Sequence, residues 1–155
     1  MALVIGDKIP NFVSKDSRGI IFESSSVVGK KPVVFYFYPK DNTPGCTAQA
    51  CSFRDQYEDF KDLGAEVIGI SSDSSASHEK FSKRYRLPFT LLSDDNKKIR
   101  NLFGVKPHLF GLVPGRVTYI VDEKGIIRLI FDSVIATNHI PMALKTIKKI
   151  VAEIK

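Results

Sequence analysis

The fold is decided by one stretch of sequence, Pro32-Val33-Val34-Phe35-Tyr36-Phe37-Tyr38-Pro39-Lys40-Asp41-Asn42-Thr43-Pro44-Gly45-Cys46. Every residue from Val33 to Tyr38 is β-branched or aromatic, and Pro39 ends the run. A continuous apolar run of this kind predicts a strand that is buried on both faces. Thr43 and Pro44 then suit the N-cap and the first position of a helix. The stretch therefore predicts a buried parallel strand that leads directly into a helix.

Apolar runs and helical periodicity alternate along the rest of the chain. Strands are predicted at residues 12–14, 20–22, 66–71, 89–92, 117–121 and 126–131, with hairpin turns at 16–19 and 122–125. Helices are predicted from Thr43 to a C-cap at Gly64, at 77–85, at 95–103, and along an apolar stripe of Ile140, Leu144, Ile147, Val151 and Ile154. Strands that alternate with helices imply a sheet covered on both faces. The order predicts a thioredoxin-like α/β fold, with a central mixed sheet flanked by helices and an N-terminal β-hairpin extension.

Length and composition predict one domain over residues 1–155, with 43% hydrophobic and 26% charged residues. No run approaches the roughly 18 apolar residues of a transmembrane helix, and the N-terminus lacks the basic start of a secretory signal. The net charge is +6, but the basic residues are scattered, as at Lys97, Lys98 and Arg100. We expect these to be solvated, without nucleic-acid binding or membrane insertion. The expected location is intracellular: the cytoplasm, or a plastid if a transit peptide has been removed.

The chain has two cysteines, Cys46 and Cys51, which is too few for a disulfide-stapled scaffold and points to chemistry. Cys46 falls at the third position of the predicted helix, among unpaired backbone N–H groups at the positive end of the helix dipole. That environment favours the thiolate, which is the nucleophilic form of cysteine. Gly45 leaves room beside it for a small substrate. The alternative is that Cys46 is an inert, small apolar residue.

Cys51 lies five residues further along the same predicted helix. On an ideal helix this spacing puts the two Cα atoms about 8.7 Å apart, whereas a disulfide needs about 4.4–6.8 Å. A bridge to Cys46 could form only if the first turns unwind; the alternative is a helix cysteine that never reacts. The spacing excludes a CxxC redox motif. The cysteines and the histidines show no metal-ligand spacing, the histidines being His78, His108 and His139.

The motif Pro39-x-x-x-Thr43-x-x-Cys46 resembles the active-site motif of the peroxiredoxins, and the chain is similar to the peroxiredoxin Q branch, also called bacterioferritin comigratory protein. Nearly the whole chain shares this resemblance. Matching stretches lie at residues 53–55 and 85–89, and the stretch from Leu109 to Tyr119 is most similar to plant, algal and cyanobacterial members.

The resemblance implies a role for each residue of the motif. Cys46 would be the peroxidatic cysteine and Cys51 the resolving cysteine of an atypical 2-Cys peroxiredoxin. Thr43 would bind the peroxide through its hydroxyl, and Pro39 would shield the site from water. Arg116 would stabilise the thiolate and the charge on the departing oxygen, although the residues alone would place it on the surface.

The resemblance also implies an antioxidant activity in cell redox homeostasis. Hydrogen peroxide and organic hydroperoxides would be reduced to water and alcohols through a Cys46 sulfenic acid and a Cys46–Cys51 disulfide. Thioredoxin, or another dithiol, would reduce that disulfide. No metal, haem or flavin would be needed, and a monomer is expected. The alternatives are a thiol–disulfide oxidoreductase acting on protein disulfides, and a basic nucleic-acid or membrane adaptor that only shares the fold.

Overall fold

The computed structural model describes residues 2–105, 115–133 and 135–154. Within them one mixed sheet of seven strands has the order β2-β1-β5-β4-β3-β6-β7. Strands β3, β4 and β5 are parallel, and the remaining pairings are antiparallel. The strands are β1 (Val13–Asp16), β2 (Ile21–Glu23), β3 (Val33–Phe37), β4 (Glu66–Ser71), β5 (Thr90–Ser93), β6 (Val117–Val121) and β7 (Ile127–Asp132). The predicted N-terminal hairpin is therefore part of the sheet, because β1 pairs with β5.

Helices cover both faces of this sheet. They are α1 (Pro44–Asp62), α2 (Ser75–Tyr85), α3 (Lys98–Phe103) and α4 (His139–Ile154). One apolar cluster joins α1, α2 and α4 to the face of β3 that carries Val34 and Tyr36. The second joins α3 and the N-terminal segment to the face that carries Val33, Phe35 and Phe37. Strand β3 is buried along its whole length, which is why its sequence is apolar without alternation.

The predicted element order is confirmed, and most strand boundaries agree with the prediction to within one or two residues. Strands β4 and β6 have the predicted bounds, and α1 has Thr43 as its N-cap and Pro44 at its first position. At the other end of α1 the C-cap is Leu63, and Gly64 follows it with φ +79°. Gly64 N–H bonds to Lys61 O and Ala65 N–H to Phe60 O, a pairing that requires a left-handed residue after the cap.

Three helices differ from the prediction. Helix α2 begins at Ser75 rather than at residue 77. Helix α3 begins at Lys98 rather than at residue 95, because the Asp94 carboxylate accepts the backbone N–H groups of Ile99 and Arg100 at 2.8 Å each. On α4 the last residue of the predicted stripe, Ile154, is 54% exposed. The buried line of α4 follows Ile140, Ala143, Ile147 and Ile150.

Two predictions lie wholly or partly outside the described residues: His108 and the matching stretch from Leu109 to Pro114. Within the described residues, no helix is long and apolar enough to cross a membrane.

The centre of the sheet has no room for a side chain at Gly69, so we expect Gly69→Ala to destabilise the fold. An added Cβ would lie 2.7 Å from the Tyr36 ring and 2.8 Å from a Leu91 methyl group. Overpacking of this kind costs about 1–3 kcal/mol of the free energy of unfolding, which urea titration measures. Because Leu91 supplies part of the clash, the double variant with Leu91→Ala should lose less than the sum of the single losses. A Gly69→Ala loss within about 0.5 kcal/mol of zero would contradict this packing.

Candidate active site

The site lies where β3 ends and α1 begins. Strand β3 pairs with β6 so that Phe37 lies opposite Val117. Arg116, the residue before Val117, is therefore brought to the carboxyl end of β3 although it is distant in sequence. Crevices at the carboxyl ends of parallel strands are the usual ligand sites of α/β sheets.

Cys46 and Arg116 are in contact in this crevice. Cys46 is the third residue of α1 and is 1% exposed. The Arg116 side chain, itself 7% exposed, donates from Nη2 to the Cys46 sulfur at 3.3 Å. Its Nη1 donates to Oε1 of Gln49, which is fully buried one turn further along α1. Gln49 thus holds the guanidinium against the sulfur, and the predicted surface position of Arg116 from the residues alone is wrong.

The lack of a side chain at Gly45 allows the close approach of Arg116. A Cβ at this position would lie 3.2 Å from Arg116 Nη2, a distance shorter than carbon–nitrogen contacts normally allow. The space beside Cys46 that the sequence indicates is therefore used first by the guanidinium. A cation held against the sulfur stabilises its anionic form, as the helix start also does.

The other predicted residues lie along the same chain segment. Pro39 is half-buried and directly follows the strand end. The Thr43 hydroxyl donates to the backbone oxygen of Lys40 at 2.9 Å, while the Thr43 backbone oxygen accepts the N–H of Thr47. Cys51 is half-buried on α1, and the two cysteines are not joined by a disulfide. Since α1 is continuous from Pro44 to Asp62, the spacing of an intact helix applies to the cysteines.

Two buried tyrosines, Tyr36 and Tyr38, belong to the same apolar cluster as Cys46. Burial raises the pKa of Tyr36 well above its ordinary value, and the negative charge of Cys46 adds to this effect. Burial likewise raises the pKa of Tyr38. Both hydroxyls therefore stay neutral. The Tyr36 ring stacks on Phe53 of α1 with centroids 4.6 Å apart, which fixes the helix to the sheet beyond the cysteines.

Arg100 is a buried residue of the site that the sequence analysis assigned wrongly to the solvated surface. It is 6% exposed, and its guanidinium donates to Gly115 O at 2.9 Å and to Tyr38 O at 3.1 Å. It thereby ties the end of β3 to the residue that precedes Arg116. Burial lowers the pKa of Arg100, and the charge of Asp94 opposes that shift. Arg100 lies in a stretch rich in Lys and Arg, so nothing in the local sequence indicates that its side chain is buried.

A second group missed by the sequence analysis surrounds Asp41, in the loop between β3 and α1. Asp41, Asp73 and His78 have ligand-type atoms within 4.8 Å of one another, although their sequence spacing does not indicate a cluster. These atoms are joined by hydrogen bonds: His78 Nδ1 lies 2.7 Å from Asp41 Oδ2, and the Asp41 N–H donates to Asp73 Oδ2 at 2.8 Å. The group is thus a hydrogen-bonded support of the loop.

Residues 5–130 match the model of the AhpC/TSA family. The chain belongs to this family. It is 53% identical over 146 residues to the chloroplastic peroxiredoxin Q of Triticum aestivum, an alignment that covers 94% of this chain and 67% of that protein. The resemblance to peroxiredoxin Q is therefore confirmed, and the chain is a thiol peroxidase.

Solved structures of similar proteins agree with the fold. The peroxidoxin BcpB of Mycobacterium tuberculosis has a TM-score of 0.86 and 34% identity, with 94% of this chain and 97% of that chain covered. The bacterioferritin comigratory protein of Xanthomonas campestris, known for alkyl peroxide reduction, has a TM-score of 0.84 and 27% identity, with 94% of this chain and 99% of that chain covered. The predicted thioredoxin-like fold is confirmed by these neighbours.

The contact between Arg116 and Cys46 predicts that Arg116→Lys slows oxidation of Cys46 by peroxide about ten- to a hundredfold. Lysine keeps the charge but cannot reach the Cys46 sulfur and Gln49 with a planar fork. The measurement is the rate of sulfenic acid formation in reduced protein after rapid mixing with hydrogen peroxide. Arg128→Lys is the matched control. Arg128 lies on β7, is partly exposed, and pairs with Asp122 and Glu153. Equal rates for both variants would contradict the role of Arg116.

Proposed function

We propose that this thiol peroxidase is an atypical 2-Cys peroxiredoxin with Cys46 as the peroxidatic and Cys51 as the resolving cysteine. The observation that supports it best is the buried Cys46 sulfur with a guanidinium nitrogen of Arg116 at 3.3 Å. Such a pair provides both a nucleophile and a fixed positive charge at the point where the O–O bond must break.

In the first step the Cys46 thiolate attacks one oxygen of the hydroperoxide. The O–O bond breaks, the other oxygen leaves with the electron pair and takes up a proton, and Cys46 becomes a sulfenic acid. Water leaves from hydrogen peroxide and an alcohol from an organic hydroperoxide. Arg116 stabilises the charge on the leaving oxygen. The Thr43 hydroxyl, whose proton is directed to Lys40 O, offers its lone pairs to the O–H of the peroxide, and half-buried Pro39 shields the sulfur from water.

In the second step the Cys51 thiol attacks the sulfur of the sulfenic acid. An S–S bond forms, and the oxygen leaves as water. Since the two Cα atoms are about 8.7 Å apart on an intact helix, the first turns of α1 must unwind before this step. The disulfide is then reduced by two electrons from an external dithiol, for which we propose thioredoxin.

The remaining features of the proposal concern the cellular setting. Residues 1–155 would form one peroxiredoxin domain that works as a monomer without a metal, haem or flavin, and contributes to cell redox homeostasis. The relative from Triticum aestivum is described as chloroplastic, which favours a plastid over the cytoplasm. The named relatives are peroxiredoxins, which favours the peroxidase over a thiol–disulfide oxidoreductase.

Two cysteine variants test the order of the steps, and each serves as the control of the other. Cys46→Ser should abolish peroxide consumption, because a neutral hydroxyl does not replace the thiolate. Cys51→Ser should keep one stoichiometric burst of peroxide consumption, lose turnover with thioredoxin, and over-oxidise more readily. The measurements are peroxide consumption and the mass of the protein. Turnover of Cys46→Ser above a few per cent of wild type, or normal turnover of Cys51→Ser, would contradict the assignment of that cysteine.

The unwinding of α1 makes a prediction for hydrogen exchange. Amides from Thr47 to Phe53 should exchange faster in the oxidised protein than in the reduced protein, because their helical hydrogen bonds are lost. Amides of Phe60 and Leu63 should stay protected in both states, since Phe60 is fully buried. Equal protection from Thr47 to Phe53 in both states, with the disulfide verified by mass, would show that the bridge forms without unwinding.

A further inference from the structure

The loop between β3 and α1 is held by an anchor that the proposed chemistry does not use. Asp41 is 4% exposed, and its carboxylate has three side-chain partners. Tyr38 donates its hydroxyl to Oδ1 at 2.6 Å, Ser77 donates its hydroxyl to Oδ2 at 2.8 Å, and His78 Nδ1 lies 2.7 Å from Oδ2. Ser77 and His78 belong to α2, so the loop is fastened to a different helix from the one it leads into.

His78 is held at both ring nitrogens. The ring is fully buried, with Nδ1 2.7 Å from Asp41 Oδ2 and Nε2 2.9 Å from Leu92 O. The Asp41 carboxylate also accepts the hydroxyls of Tyr38 and Ser77. Hydrogen bonds to a carboxylate are charge-assisted and about twice as strong as neutral ones, so this buried cluster fastens the loop to α2.

The anchor lies directly beside the segment that must unwind. Asn42, the next residue, has φ +62°, the left-handed turn that directs the chain into the helix. Thr43, only two residues after Asp41, accepts the first helical hydrogen bond, from Thr47 N–H at 2.8 Å. Unwinding of the first turn breaks that bond and pulls on the anchored loop. On the far side the segment is fixed by Phe53, which is fully buried against Tyr36.

We propose that His78 and Asp41 are a positioning pair that holds the start of α1 in its helical state and thereby sets the balance between attack on peroxide and formation of the disulfide. This inference rests on the proposed function, because it needs a Cys46 sulfenic acid that Cys51 resolves. The pair stabilises the helical state, in which Cys46 faces Arg116. Weakening it raises the population of the unwound state, in which Cys46 and Cys51 meet.

The two rates must therefore respond in opposite directions. His78→Phe fills the ring volume but removes both hydrogen bonds. Loss of a hydrogen bond to a charged group corresponds to about a tenfold change in an equilibrium. This tenfold change is shared between the two rates. Because α1 is helical from Pro44 in the reduced protein, we expect disulfide formation from the sulfenic acid to become up to about tenfold faster, and oxidation of Cys46 to become slower by a smaller factor. His78→Gln, which keeps one donor for Asp41, should lie between His78→Phe and the wild type.

The experiment is rapid mixing of reduced protein with one equivalent of hydrogen peroxide, with acid quenching and mass analysis of thiol, sulfenic acid and disulfide. Urea titration of every variant measures its stability. Asp41→Asn is the second variant, for the case in which His78→Phe does not fold. It keeps the side-chain volume and removes the negative charge. Ser24→Ala is the stability control: buried Ser24 accepts the N–H of Phe12 at 2.8 Å in the N-terminal segment, so both rates should remain at the wild-type value.

The outcomes separate this inference from the proposed function. If the wild-type protein forms no sulfenic acid or disulfide, the proposed function fails. If the wild type reacts and the His78 and Asp41 variants retain both of its rates, the positioning pair is overturned. It is overturned equally if oxidation slows while disulfide formation stays unchanged or slows as well, because that pattern describes a residue that supports only the fold.

Discussion

The contact between the Arg116 guanidinium and the Cys46 sulfur depends on the register in which β6 pairs with β3. Phe37 lies opposite Val117, so the end of one strand and the start of the other reach the same point of the sheet edge. A slip of one residue would turn every side chain to the opposite face and remove Arg116 from the crevice. The burial of β3 on both faces fixes this register, because each face contributes to a separate apolar cluster.

Buried polar groups then fix the positions of the residues that the strands bring together. Arg100 ties Tyr38 O to Gly115 O, and Gln49 directs Arg116 toward Cys46. These side chains are almost fully enclosed, where a charged group without partners would be costly. Each hydrogen bond therefore both satisfies a buried group and restricts its position. The side chains of the crevice are therefore held in defined positions by the need of each buried polar group for a hydrogen-bond partner.

The sequence predicts the parts of this structure that depend on local patterns. Apolar runs mark the strands, and Thr43 with Pro44 marks the start of α1, because a cap is decided by adjacent residues. Burial of Arg100, and the pairing of Asp41 with His78, depend on residues that are far apart in sequence and meet only after the sheet has formed. Only the family resemblance indicated Arg116, whereas the local residue pattern did not. The later start of α3 has a local cause that the residue pattern did not indicate: the Asp94 side chain accepts the N–H groups of Ile99 and Arg100, which a longer helix would have used.

Contacts from outside the helix contribute to the stability of the start of α1, and this matters for the proposed cycle. Gly45 is a poor helix former, by about 1 kcal/mol relative to alanine, and the Thr43 hydroxyl bonds to Lys40 O. Arg116 on the Cys46 sulfur and the anchored loop before it hold the first turn from outside the helix. In the proposed cycle, conversion of a Cys46 thiolate to a sulfenic acid would remove a negative charge beside Arg116, so the chemical step itself would weaken the hold on the helix start. The helix would then be released when Cys51 is needed.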